Sequence, residues 1–166
     1  MTMIKITFVF IFIIFAPESV LAKGISLNQL INKNGQYFIN DKLIPYSGLT
    51  LSYFKNGTIK YVGNIENGMK HGVWLRYLNG SIWRENYLKG KLEGPWEWIR
   101  NNGKIWSSGT YKNNKKEGKE KHYYSNGQIY YEGQYSNGKQ VGLWKYYDKV
   151  GKLVSEVFYG IGQEAK

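Results

Sequence analysis

Residues 94–116, GPWEWIRNNGKIWSSGTYKNNKK, spell out a single β-hairpin. A glycine opens an aromatic strand carrying Trp96 and Trp98, Asn102-Gly103 supplies the turn, and Ile105 to Tyr111 returns. Asn-Gly suits a tight turn because both residues tolerate positive φ. Aromatic and β-branched residues fill the arms, and polar glycine-bearing segments separate them.

The same grammar recurs about five times between Gly48 and Gly162. Opening glycines fall at Gly48, Gly72, Gly94, Gly118 and Gly142, at spacings of 24, 22, 24 and 24. Turn glycines follow at Gly57, Gly80, Gly103, Gly127 and Gly151, four of them preceded by asparagine. Two residues past each turn stands a branched aliphatic: Ile59, Ile82, Ile105, Ile129 and Leu153. A repeat array with this period is the simplest reading.

Side chains two apart on a strand share a face. Counting in twos puts Ile105, Ser107, Gly109 and Tyr111 on one face, with Ile129, Tyr131, Gly133 and Tyr135 beside them. Ile59, Tyr61, Gly63 and Ile65 match in the first unit, and Leu153, Ser155, Val157 and Tyr159 in the last. Incoming strands place Trp74, Trp96 and Trp144 two residues past the opening glycine, and Tyr53, Tyr77, Ile99, Tyr123 and Tyr147 five past. An offset of three changes face, so a bulge or twist is expected between these positions, or aromatics on both faces. The second unit lacks one residue before Gly80 and another before Tyr87. A loss inside a strand would flip all that follows, so the losses belong to a turn or a bulge.

Composition agrees. In 166 residues there are 20 Gly, 3 Pro and 28 aromatics, a mixture that favours strands and tight turns. The net charge of +11 favours anionic partners without choosing among lipid headgroups, nucleic acid and acidic glycans. With no cysteine there is no disulfide, thiolate nucleophile or Cys-based metal site.

Residues 1–22 read as a signal peptide. Lys5 precedes an eleven-residue apolar run, Ile6 to Ala16, and Val20-Leu21-Ala22 presents a cleavage site. Eleven residues are too few to span a bilayer, which takes roughly 20, so no transmembrane helix is expected in the mature chain. Cleavage removes Lys5 and Glu18 and leaves the net charge at +11. Residues 23–47 form an N-terminal cap segment, 48–162 the repeat domain and 163–166 a tail. In the cap, Leu27 to Ile31 suits a short helix or an irregular lead-in, Asn34-Gly35 a turn into a strand, and Pro45 discourages a central strand.

Gly72-Val73-Trp74-Leu75-Arg76-Tyr77, Asn137-Gly138-Lys139-Gln140-Val141-Gly142-Leu143-Trp144 and Tyr46-Ser47-Gly48 resemble the variant MORN repeat, the bacterial-type form of the membrane occupation and recognition nexus motif. The resemblance covers roughly residues 45–160. It implies an all-β fold, an elongated antiparallel β-meander of about five MORN-type hairpins. It also implies a binding role, since relatives are labelled antitoxin-like and MORN proteins are associated with membranes and scaffolding. Three positions depart from the pattern. Asn114 replaces a turn glycine, and Thr50 and Glu120 stand where Trp is usual.

No catalytic constellation is present. His71 and His122 make no HExxH spacing, Glu93 and Glu117 recur as repeat consensus, and neither a GxSxG elbow nor a phosphate-binding loop occurs. No enzyme, cofactor or metal is expected. Lys112, Lys115, Lys116, Lys119 and Lys121 cluster around one turn and the next strand, with Lys70, Lys89, Lys91 and Lys139 in or near other turns. One reading is a solubilising edge that discourages strand pairing; the other is an anion-binding edge. Nucleic acid is disfavoured, because the aromatics recur at fold-building positions and export removes the chain from most of it. The expected function is an exported, periplasmic or extracellular, module that binds a protein or an anionic envelope surface. Neutralisation of a toxin partner is the alternative.

Overall fold

The computed structural model describes residues 24–39 and 43–160. The expected signal peptide and tail lie outside the described residues. Ahead of the repeats come β1 (Ile25–Ser26), a 3-10 turn (Leu27–Gln29), β2 (Ile31–Lys33), β3 (Gln36–Ile39) and β4 (Ile44–Pro45). The array begins with β5 (Gly48–Tyr53), β6 (Ile59–Glu66), β7 (Met69–Leu78), β8 (Ser81–Leu88), β9 (Lys91–Leu92) and β10 (Gly94–Ile99). It continues with β11 (Ile105–Lys112), β12 (Lys115–Lys116), β13 (Gly118–Tyr123), β14 (Ile129–Ser136), β15 (Lys139–Tyr147) and β16 (Leu153–Tyr159). One sheet takes β5 through β16 in chain order, with the short β9 and β12 set beside β8 and β11. Every pairing within this stretch is antiparallel, so the chain is the expected β-meander.

Two kinds of turn alternate along the two margins. On one margin the loops at Phe54–Thr58, Arg100–Lys104, Tyr124–Gln128 and Asp148–Lys152 each hold three residues between a closing pair. The Gly103 N–H donates to Arg100 O at 2.9 Å, and the Arg100 N–H to Lys104 O at 2.9 Å. Gly103 is left-handed (φ 78°) and Asn102 is not. Asn102 instead accepts the Lys104 N–H on Oδ1 at 3.1 Å. This is a type I turn closed by a left-handed glycine, not the two-residue turn that Asn-Gly suggests. The second unit does carry the two-residue form, with Asn79 (φ 48°) and Gly80 (φ 77°) both left-handed.

The longer loops come with a bulge. Trp98 pairs with Ser107 but Ile99 with Ile105, leaving Trp106 as the extra residue. Lys60, Tyr130 and Val154 occupy the same place in the first, fourth and fifth units. The second unit has no bulge, and β7 pairs with β8 without a shift from Gly72↔Tyr87 to Leu78↔Ser81. Its two missing residues are therefore the third loop residue and the bulge residue. The bulge corrects one expectation. Ile59, Ile105, Ile129 and Leu153 do not share a face with Tyr61, Ser107, Tyr131 and Ser155; they pair with Tyr53, Ile99, Tyr123 and Tyr147 on the other side.

The two faces differ. One carries Trp74, Trp96 and Trp144, each no more than 3% exposed, lying over Gly63, Gly109 and Gly133 of the adjoining strand. Tyr87 packs on Trp74, Tyr111 on Trp96, and Tyr135 and Tyr159 on Trp144. The opposite face has a buried apolar row, Leu51, Val62 and Leu75. The same row continues as ion pairs: Arg84–Glu97 at 2.9 Å, Lys121–Glu132 at 3.3 Å and Lys145–Glu156 at 3.8 Å. Opposite charges directly across a strand pair stabilise the ladder, each by a fraction of a kcal/mol to about 1 kcal/mol.

At the N-terminal end β1 pairs parallel with the edge of β5. Thr50, standing at a Trp position, is fully buried and donates to Ile25 O at 2.9 Å. Leu30 and Tyr46 join Ile65 and Trp74 in a buried cluster. Pro45 lies in β4, at the edge of a small sheet ordered β2-β3-β4.

Candidate binding surface

The second margin is built from two-residue turns at Asn67-Gly68, Lys89-Gly90, Asn113-Asn114 and Asn137-Gly138, all left-handed. These turns are bonded to one another in series. The Gly90 N–H donates to Lys70 O, Asn114 N–H to Leu92 O, and Gly138 N–H to Lys116 O, at 2.8 to 3.0 Å. Glu93 and Glu117 complete the series, accepting the Asn113 and Asn137 N–H at 2.8 and 2.7 Å. Ser47 does the same for Asn67 at 2.8 Å. The glutamates before the opening glycines thus hold the next turn in place. His71 has their position in the second unit and lies 2.9 Å from Glu66.

Lys89, Lys91, Lys112, Lys115 and Lys139 are exposed on or beside these turns. Consecutive turns are two strands apart, about 10 Å, so the cations form a spaced series along one margin. Of the five lysines singled out in sequence, only Lys112 and Lys115 are brought together here, paired across the Asn113-Asn114 turn. Lys115 Nζ donates to Asn137 Oδ1 at 2.8 Å. Lys119 and Lys121 are on the ion-paired face, opposite Gln134 and Glu132. Lys116 turns onto the tryptophan face, with Nζ 5.2 Å from the Trp96 ring and 4.8 Å from Tyr135.

Lys116 explains the departure at Glu120. That carboxylate is 3% exposed where other units bury Trp, and it is ion-paired with Lys116 and with His122 Nε2 at 3.6 Å. Burial pushes its pKa up, but hydrogen bonds and charge from His122 and Lys116 outweigh this and hold it below the ordinary carboxylate value. His122 in turn stacks on Tyr131, with centroids 4.3 Å apart. Among the described residues no group of three or more His, Cys, Asp or Glu is arranged to hold a metal ion.

The tryptophan face also carries a row that sequence reasoning missed. Cross-strand pairing lines up Tyr61, Arg76, Trp83, Trp98, Ser107, His122, Tyr131 and Tyr146. The bulge residues Trp106 and Tyr130 join it, 37% and 44% exposed. Ring centroids of Trp83 and Trp98 are 5.1 Å apart, Trp98 and Trp106 4.2 Å, Tyr130 and Tyr131 5.4 Å, and Tyr131 and Tyr146 5.7 Å. Arg76 covers Trp83 at 5.5 Å and Arg100 covers Trp106 at 5.2 Å. The signal for this row was present as Trp98, Trp106 and Tyr130, but only the bulge brings the last two onto this face. Near one end a pocket of about 270 Å³ is lined by Tyr61, Lys70, Trp74, Arg76, Glu85 and Tyr87.

The MORN repeat variant model matches three consecutive segments, residues 92–113, 116–137 and 140–159. The first two segments run from one two-residue turn to the next and the third from the Asn137-Gly138 turn to the end of β16, so sequence period and structural period coincide. No curated protein sequence matches the chain. Among solved structures, S. aureus TarM in complex with fondaparinux, alpha-GlcNAc-glycerol and UDP is 16% identical over 78% of this chain and 21% of its own, at a TM-score of 0.36. A second TarM structure gives 15%, 80%, 21% and 0.37, and a GtfA/B complex 10%, 48%, 19% and 0.23. The chain spans about a fifth of these proteins' lengths, and likenesses this slight say nothing of its activity. Turn chemistry, strand register and the three matched segments agree: residues 92–159 carry three consecutive repeats of the MORN repeat variant type.

Proposed function

We propose that this protein is an exported, non-catalytic module that binds an anionic envelope surface through its lysine-bearing margin. The observation that carries the reading is the row of exposed lysines, Lys89, Lys91, Lys112, Lys115 and Lys139, on turns held in series by backbone hydrogen bonds. Cations fixed at regular intervals on a rigid margin attract an extended anionic surface better than the same charges on mobile loops, because less entropy is lost on contact. Of the acidic residues on this margin, Glu93 and Glu117 are engaged by turn N–H groups and Glu66 lies 2.9 Å from His71. Export rests on the apolar run and cleavage site of residues 1–22.

Two measurements test this. Mass spectrometry of the protein from its native host should find a chain starting at Lys23; an unprocessed chain confined to the cytosol would sink the export reading. A pull-down from the native envelope fraction should retain the protein at low salt and release it at high salt. Salt-insensitive capture of one protein toxin would favour the antitoxin-like alternative instead.

A further inference from the structure

We propose that the aromatic row and the pocket at its end form a binding site for an acidic saccharide chain. This rests on the reading that the partner is anionic and names its chemistry. The row from Tyr61 to Tyr146 crosses eight adjacent strands, a length of about 34 Å at roughly 4.8 Å per strand. Its rings fall in two groups, Trp83, Trp98 and Trp106 on one side of Ser107, and His122, Tyr130, Tyr131 and Tyr146 on the other, with neighbouring centroids 4 to 6 Å apart and Trp106 and Tyr130 open to solvent. Sugar rings present apolar C–H faces that settle on aromatic surfaces, while their hydroxyls need donors and acceptors at the ring edge. The pocket supplies both. Trp74, Tyr61 and Tyr87 give aromatic walls, Glu85 a carboxylate acceptor, and Arg76 and Lys70 cations.

Charge complementarity selects an acidic sugar. Arg76 is exposed and stands in the row itself, with no carboxylate within ion-pairing distance among the described residues. Lys70 Nζ is held 4.3 Å over the Trp74 ring and 4.7 Å over Tyr87, where a sugar carboxylate in the pocket would meet it. Stacking aromatics flanked by cations also suit single-stranded nucleic acid. Glu85, in the lining of the pocket, decides between the two. A uronic acid can turn its carboxylate to Arg76 and Lys70 and a hydroxyl to Glu85, whereas a DNA phosphodiester backbone offers Glu85 no donor.

The test is affinity electrophoresis of the chain beginning at Lys23, in gels containing polygalacturonate, dextran, poly-glutamate or oligothymidylate. Polygalacturonate should retard the protein most. Trp106→Ala and Arg76→Gln alter exposed side chains and should each weaken that retardation about tenfold, the loss of one stacked ring or one ion pair, without changing retardation by poly-glutamate. Replacing the margin lysines should weaken both polyanions alike. Tryptophan fluorescence of the unaltered protein should also change on titration with oligogalacturonate, which needs no variant to fold. Equal retardation by polygalacturonate and poly-glutamate, with Trp106→Ala and Arg76→Gln behaving as the parent, would overturn the saccharide site and leave the lysine margin standing. Tightest binding to oligothymidylate, or unchanged fluorescence, would overturn it as well.

Discussion

Gly109 and Gly103 stand six residues apart and are required for different reasons. A Cβ on Gly109 would come within 2.8 Å of the Trp96 indole, so Gly109→Ala must push a buried ring aside. Gly103 has nothing within 4 Å but sits at φ 78°. Gly109→Ala should cost about 1–3 kcal/mol by overpacking, and Gly103→Ala about 1–2 kcal/mol by backbone strain alone. Urea denaturation of both, followed by Trp96→Ala in the Gly109→Ala background, separates them. Removing the ring should mask the Gly109→Ala cost, because Trp96→Ala alone already loses roughly 3–5 kcal/mol. The same ring should leave the Gly103→Ala cost unchanged.

At the same scale, Glu120 couples stability to pH. Its folded pKa lies below the unfolded value, so its contribution is present above the unfolded pKa and is lost as pH falls through the folded one. Thermal melts of the parent protein should therefore drop more steeply between about pH 5 and pH 2 than those of Glu120→Gln. Parallel curves would show that the Lys116–Glu120–His122 cluster contributes no pH-dependent stability.

The hairpin is the element on which the array is built. Its existence, order and glycine punctuation were legible in sequence because five copies repeat the same residues at nearly constant spacing. The face of Ile105 was not legible. Alternation by twos assumes that every residue has a partner across the ladder, and Trp106 has none. The second unit held the clue: its two missing residues are the two that the other units spend on a longer loop and a bulge. Deleting residues 94–117, one whole unit, should preserve the turn series and leave a shorter folded β-protein, since each unit contacts only its neighbours. Deleting residues 94–102 should strip β10 from between β8 and β11 and expose two unpaired edges. Circular dichroism and light scattering should then report a soluble sheet for the first deletion and aggregation for the second. Equal behaviour would count against the hairpin as the unit.

Over the whole molecule, the basic composition was legible and its distribution was not. Lys112 to Lys121 look like one cluster in sequence, yet strand alternation sends Lys116 to the tryptophan face and Lys119 and Lys121 to the other. Residues from different units, Lys89, Lys91 and Lys139, take their place beside Lys112 and Lys115 because turns 24 or so residues apart stack on one margin. The aromatic row was hidden likewise, being assembled from one or two residues of each strand. The most direct measurement of the central claim is co-sedimentation of the chain beginning at Lys23 with anionic and neutral vesicles, across a salt series. A variant with Lys89, Lys91, Lys112, Lys115 and Lys139 all changed to Gln runs alongside; exposed substitutions of this kind shift stability by only about 0.5 kcal/mol each. The prediction is retention by anionic vesicles alone, fading as salt shortens the screening length below about 10 Å, and largely lost in the variant at every salt. Equal retention of parent and variant at low salt, or no retention of either, would contradict it.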